Sequence, residues 1–192
     1  MVMRLLPRLV VLSTAVCALA TAAPASAQEF VRTDERGDLS RVGEDSDVFV
    51  PVPGRGYPDI TRVRFAHRDR AVVVRATFVE LNPTGKFLFG GIDVRTPHGR
   101  EFFTVMATEG SREGFLFKDN EHPCRVGIRI SYADELMRVS IPRSCLGDPR
   151  WVRVRFGASV LQHDGDEIID NAGAPRFDSR APFPWSPRLR RG

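Results

Sequence analysis

Five arginines alternate with apolar residues at period two: Arg62 and Arg64 around Val63, Arg75 between Val74 and Ala76, Arg129 between Ile128 and Ile130, and Arg138 between Met137 and Val139. Such alternation places the apolar side chains on one face of a strand and the guanidinium groups on the other. Folding 59–81 about a four-residue loop of His67, Arg68, Asp69 and Arg70 sets Val63 against Val74, Phe65 against Val72, and Arg62 across from Arg75. Folding 124–145 about a centre between Ala133 and Asp134 sets Arg129 across from Arg138. Like charges facing each other across a sheet repel, so something anionic belongs beside them. The chemistry expected is recognition of carboxylate or phosphate groups by forked N–H donors. Arg62, Arg64, Arg75, Arg129 and Arg138 are therefore the candidate ligand-binding face, with Arg153 and Arg155 projecting from a later strand in the same manner. The alternative is that the acidic segments at 34–47 or 164–170 fold over these arginines, whose stems then simply cover the sheet.

Carboxylates form two groups, Asp34, Asp38, Asp45 and Asp47 early in the chain and Asp164, Asp166, Glu167 and Asp170 late in it. Calcium takes six to eight oxygens, and such loops supply several. The late group, Asp164, Asp166, Glu167 and Asp170, is the expected calcium site. It does not follow the EF-hand order, because Ile168 and Ile169 fall where a ligand and a glycine belong. No other cofactor is indicated. The four histidines, His67, His98, His122 and His163, form no close pair, and neither a zinc-protease helix motif nor a nucleophile elbow occurs. The reading is thus non-catalytic, with a hydrolase using paired carboxylates such as Asp166 and Glu167 as the enzymatic alternative. Tyr57, Trp151 and Trp185 are either a sugar-stacking platform or packing residues.

The elements that must carry these residues are strands. Val126, Ile128 and Ile130 alternate outbound, and Met137, Val139 and Ile141 return, through a turn of Tyr132, Ala133, Asp134 and Glu135. Cys124 then lies opposite Arg143, two residues short of Cys145, and Pro142 bends the chain there. A Cys124–Cys145 disulfide is expected, two buried thiols being the alternative. A further hairpin joins 87–94 to 102–108, where Gly90 and Gly91 predict a bulge or a close backbone approach. In 151–161, Val152, Val154, Phe156, Ala158 and Val160 share one face. The segments 30–32 and 48–53 read as edge strands. About eight short strands and no helical periodicity predict an all-β fold, an antiparallel sandwich of jelly-roll or immunoglobulin-like type, with a barrel as second choice.

Residues 1–27 read as a signal peptide, with a basic start at Arg4 and Arg8, an apolar run at 9–20, and the small residues Ala25, Ser26 and Ala27 before the cut. Cleavage removes Cys17 and leaves the remaining two of the three cysteines as a matched pair in an oxidising, extracellular setting. Residues 28–192 then form one sandwich domain with a Pro- and Arg-rich tail at about 174–192, and no stretch of that mature chain is long and apolar enough to span a membrane. The 192-residue chain carries a net charge of +4. Loss of Arg4 and Arg8 lowers it, and Arg188, Arg190 and Arg191 in the tail outweigh what remains, so the charge sits at the ends and does not indicate nucleic-acid binding.

Asp34 with Asp38, the run of Asp59, Ile60, Val63, Phe65 and His67, the strand end Phe78, Val79, Glu80 and Leu81, and the segment Pro142, Arg143, Ser144, Cys145 and Leu146 together resemble small secreted bacterial β-sandwich proteins. In strand rhythm the chain also looks like DOMON-type and family-9 carbohydrate-binding sandwiches, which bind sugars or haem. The resemblance implies the fold and supplies neither a haem ligand nor a catalytic residue. Three functions follow in order: a secreted module binding a glycan or anionic cell-envelope polymer, an extracellular protein-interaction or inhibitor-like domain, and a carboxylate-based hydrolase.

Overall fold

The computed structural model describes residues 28–82, 87–108, 111–117, 123–162, 164–174 and 183–192. The segment read as a signal peptide, His122, His163 and part of the Pro-rich tail lie outside them. Alternating apolar residues give strands throughout: β1 (Gln28–Thr33), β2 (Ser40–Val42), β3 (Phe49–Pro51), β4 (Ile60–His67), β5 (Ala71–Phe78), β6 (Phe87–Thr96), β7 (Gly99–Thr108), β8 (Ser111–Phe117), β9 (Cys124–Ser131), β10 (Leu136–Pro142), β11 (Trp151–Leu161), β12 (Glu167–Asn171) and β13 (Leu189–Arg190). A 3-10 turn, Arg143–Leu146, follows β10, and Gly147 ends it in the left-handed region at φ 71°. No helix among the described residues is long and apolar enough to cross a membrane.

The strands pair in the order β1-β4-β5-β10-β9-β8-β7-β6-β11-β12-β2-β3, with β13 beside β11. Every pairing is antiparallel, and the path folds over into two sheets of six strands without closing into a barrel. Inward residues of the two sheets meet in one core. Val63, Phe65, Val72, Val74, Phe78, Val139 and Ile141 face Ile92, Val94, Val152, Val154, Phe156 and Val160. Phe78 and Phe156 close the space between them edge to face, with ring centroids 6.4 Å apart. The predicted inward set of β11 is wholly buried.

The β9–β10 register matches the sequence reading, Ile128 facing Val139 and Ile130 facing Met137. Cys124 and Cys145 are joined, their Cα atoms 5.8 Å apart. Two local expectations are corrected. β6 keeps an unbroken register with both neighbours, so Gly90 and Gly91 make no bulge. Gly91 instead faces Gly157, and a Cβ on it would come no nearer than 3.8 Å to any neighbour. The β4–β5 hairpin turns on Asp69 and Arg70, with the Arg68 N–H donating to the Ala71 carbonyl at 2.9 Å. That turn is tighter than the one predicted and moves the register by two residues. The cause is His67, which the predicted loop included. Its ring is fully buried and Nδ1 lies 2.9 Å from the Leu189 carbonyl, so His67 stays in the strand, opposite Val72.

Candidate functional site

The two-residue shift preserves which face each side chain takes and changes which arginines meet. Arg64, not Arg62, lies opposite Arg75, while Arg62 faces Thr77. On the other side of β5, Arg75 faces Arg138, and Arg138 faces Arg129. Four neighbouring strands, β4, β5, β10 and β9, therefore each contribute one arginine to a single row across the outer face. With strands about 4.8 Å apart, the row presents a guanidinium stem roughly every 5 Å along some 15 Å. Nonsequential pairing of β5 with β10 is what joins the two arginine pairs into one row.

A row of shorter side chains runs alongside. Glu29 faces Ala66, Ala66 faces Val73, Val73 faces Ser140 and Ser140 faces Gly127. Ala66 and Val73 are buried, and the hollow beside the arginines opens at the Ser140 and Gly127 end of this row. One depression of about 280 Å³ is lined by Gly127, Ile128, Arg129, Arg138 and Ser140. A second, of about 590 Å³, is lined by Arg75, Arg129, Ile130, Ser131, Leu136 and Arg138. At the edge of the row Glu29 accepts from Arg64 Nε at 2.9 Å, which holds the Glu29 carboxyl below its ordinary value, and lies 3.7 Å from Arg68. Among the described residues Arg75, Arg129 and Arg138 have no carboxylate within ion-pair distance, and Arg138 Nε is buried with no hydrogen-bond partner. The acidic segments predicted to cover this face do not ion-pair with the row. Asp166 pairs with Arg41 at 3.2 Å, on the other sheet.

The second feature is a group of buried carboxylates. Asp34, Asp38 and Asp170 each bring an oxygen within 4.8 Å of the others. They arrive from the turn after β1 and from β12, and Asp59, just before β4, sits beside them. Backbone N–H groups position three of the four. Gly173 donates to Asp34 Oδ1 at 2.8 Å, Gly37 to Asp59 Oδ2 at 2.7 Å, and Ile60 to Asp170 Oδ2 at 2.5 Å. Asp170 is 1% exposed and Asp59 2%. Burial pushes the Asp34 carboxyl up to about 7, Asp38 to about 6 and Asp170 to about 8, with mutual repulsion adding to it, and burial raises Asp59 as well. Asp34 Oδ2, both Asp38 oxygens and Asp59 Oδ1 are buried without a hydrogen-bond partner.

The expected calcium set of Asp164, Asp166, Glu167 and Asp170 is not brought together. β12 alternates, so Ile168 and Asp170 turn inward while Glu167 turns the other way. Asp164 is exposed, and Asp45 and Asp47 are likewise exposed and separate from the cluster. Only Asp170 of the predicted group joins, meeting Asp34 and Asp38 of the other.

The remaining candidates disperse. Arg155, expected to project freely, is 8% exposed and donates to Asp93 at 2.5 Å. Phe183 and Trp185 lie over it, with ring centroids 4.4 and 4.6 Å from its guanidinium carbon. Arg153 donates to the Ser186 carbonyl at 3.0 Å. The tail therefore docks, and β13 continues it onto β11. Tyr57 is buried in the core, Trp151 lies under Arg188, and Trp185 lies against Arg95 and Arg155, so the three aromatics form no platform. His67 is buried and His98 exposed, and they do not meet.

Comparison with known proteins finds no matching family model, no similar curated protein and no similar solved structure.

Proposed function

We propose that this protein is an exported, non-catalytic module that binds an anionic polymer, a carboxylate- or phosphate-bearing glycan of the cell envelope, across the row Arg64, Arg75, Arg138 and Arg129. The observation that carries the reading is the register, which stacks four arginines and leaves three of them without a carboxylate partner among the described residues. Like charges held this close destabilise a sheet face, and a polyanion laid across the strands relieves that repulsion at each step. Forked guanidinium donors suit carboxylate and phosphate alike. The depressions beside the row give a polymer somewhere to seat. Export is supported by the basic and apolar start of the chain, and by the Cys124–Cys145 disulfide, which belongs to oxidising compartments.

The test is retention of the purified protein on immobilised polygalacturonate, on a polymer of phosphodiester-linked polyols, and on neutral dextran as control. Wild type is expected on at least one anionic resin and not on dextran, eluting with salt. The double variant Arg75→Ser, Arg138→Ser should weaken retention at least about tenfold, since each charge-assisted hydrogen bond contributes roughly 1.5–3 kcal/mol. Arg62→Ser, outside the row, should leave it unchanged. Equal retention on dextran, or a double variant that binds like wild type, defeats the reading.

A further inference from the structure

The carboxylate cluster lies apart from the arginine row and asks for a ligand of opposite sign. Four aspartates converge from three parts of the chain: Asp34 and Asp38 from the turn after β1, Asp59 from the segment before β4, and Asp170 from β12. Backbone N–H groups aim three of their side chains, Asp34, Asp59 and Asp170. Asp34 Oδ2 and both oxygens of Asp38 are buried and bare. Asp59, 2% exposed, gives Oδ2 to the Gly37 N–H and leaves Oδ1 with no partner. It is close enough that its charge acts on Asp34, Asp38 and Asp170 alike. Buried carboxylate oxygens without donors are costly to a fold, and here one oxygen each of Asp34, Asp38 and Asp170 lies within 4.8 Å of the others.

The cationic side chains nearby do not fill the need. Arg32 gives its N–H groups to the carbonyls of Pro184 and Trp185, at 2.6 and 3.2 Å, and although the Asp34 charge acts on it, the two form no ion pair. Arg36 acts on Asp59, and Glu35 adds further negative charge near Asp38. Ligand oxygens around one calcium, each about 2.3–2.6 Å from it, stand no more than about 5 Å apart. The separations within Asp34, Asp38 and Asp170, all within 4.8 Å, fit that limit.

We propose that Asp34, Asp38 and Asp170 ligate one hard divalent cation, calcium by the chemistry of their donors, with the Asp59 charge acting on all three. An all-carboxylate donor set suits calcium over softer metals. The ion ties the β1–β2 turn to β12, and so the edge of one sheet to the other. It is independent of the arginine row, and neither proposal needs the other.

The experiment is thermal unfolding and titration calorimetry on the chelator-treated protein at pH 7.5, with calcium chloride, then magnesium chloride, as the only additions. Calcium at roughly 100-fold above its Kd is expected to raise Tm by about 5–10 °C with a one-to-one heat, and magnesium to do much less. Asp34→Asn with Asp38→Asn should abolish both signals, whereas Asp164→Asn with Asp166→Asn should keep them. If the first variant does not fold, the wild-type titration still decides. No heat and no Tm shift with wild type overturn the proposal, as does a calcium response lost in the Asp164, Asp166 variant and kept in the Asp34, Asp38 variant.

Discussion

Arg138 and Arg155 hold outward positions on opposite sheets and meet opposite fates. Arg155 has Asp93 beneath it and two aromatic rings above, so it is part of the structure. Arg155→Ala breaks a buried ion pair, and a loss of about 3–5 kcal/mol is expected in urea unfolding. Arg138 keeps a bare Nε and faces Arg75 and Arg129. Replacing it with Ser should leave stability unchanged or slightly higher, because a repulsive pair is removed. Beside it, a Cβ on Gly127 would meet nothing nearer than 3.8 Å. Gly127→Glu therefore folds, fills the depression with negative charge, and should cut polymer retention severalfold by column assay. The alternation in the sequence gives these two arginines the same outward direction. What separates them is Phe183 and Trp185, more than 25 residues further along, whose docking no local pattern announces.

Hairpin β9–β10 was readable because a short polar turn and six unambiguous apolar residues admit one register, and its disulfide followed from that register. Exchanging Cys124 and Cys145 for Ser should cost about 3 kcal/mol, as the chain-entropy estimate gives for a loop of this size, seen as a lower urea midpoint. Hairpin β4–β5 was readable only to within two residues. A slip of two keeps every side chain on its face, so burial in the sequence pattern cannot detect it. His67 decides the matter through Leu189, a contact 122 residues away. β12 and β13 escaped altogether. β12 is a five-residue strand with two adjacent isoleucines, and its acidic approach reads as a loop. The consequence for the site is direct, since a strand there turns Asp170 inward to Asp34 and Asp38 and leaves Glu167 outside.

At the scale of the molecule, a row of arginines crosses the outer face of one sheet, and a buried carboxylate group forms where the turn after β1 meets β12. The carboxylates give the cation-free protein a pH dependence of definite sign. Asp34, Asp38 and Asp170 hold their protons more tightly folded than unfolded, at about 7, 6 and 8. The stability linked to them is complete below the unfolded value near 4 and is lost as pH rises through those folded values. His67 acts oppositely, since burial lowers its folded value and acid below about 6.5 works against it. Three carboxylates outweigh one imidazole, so in chelator the urea midpoint should rise as pH falls from 9 to 6. The most direct measurement is a titration of the arginine Nε–Hε resonances with oligogalacturonate and with a phosphodiester oligomer. The account predicts that Arg75, Arg129 and Arg138 shift together and saturate with one of these oligomers, while Arg62 and the buried Arg155 stay in place. Shifts confined to the tail arginines, or none with either oligomer, would contradict it.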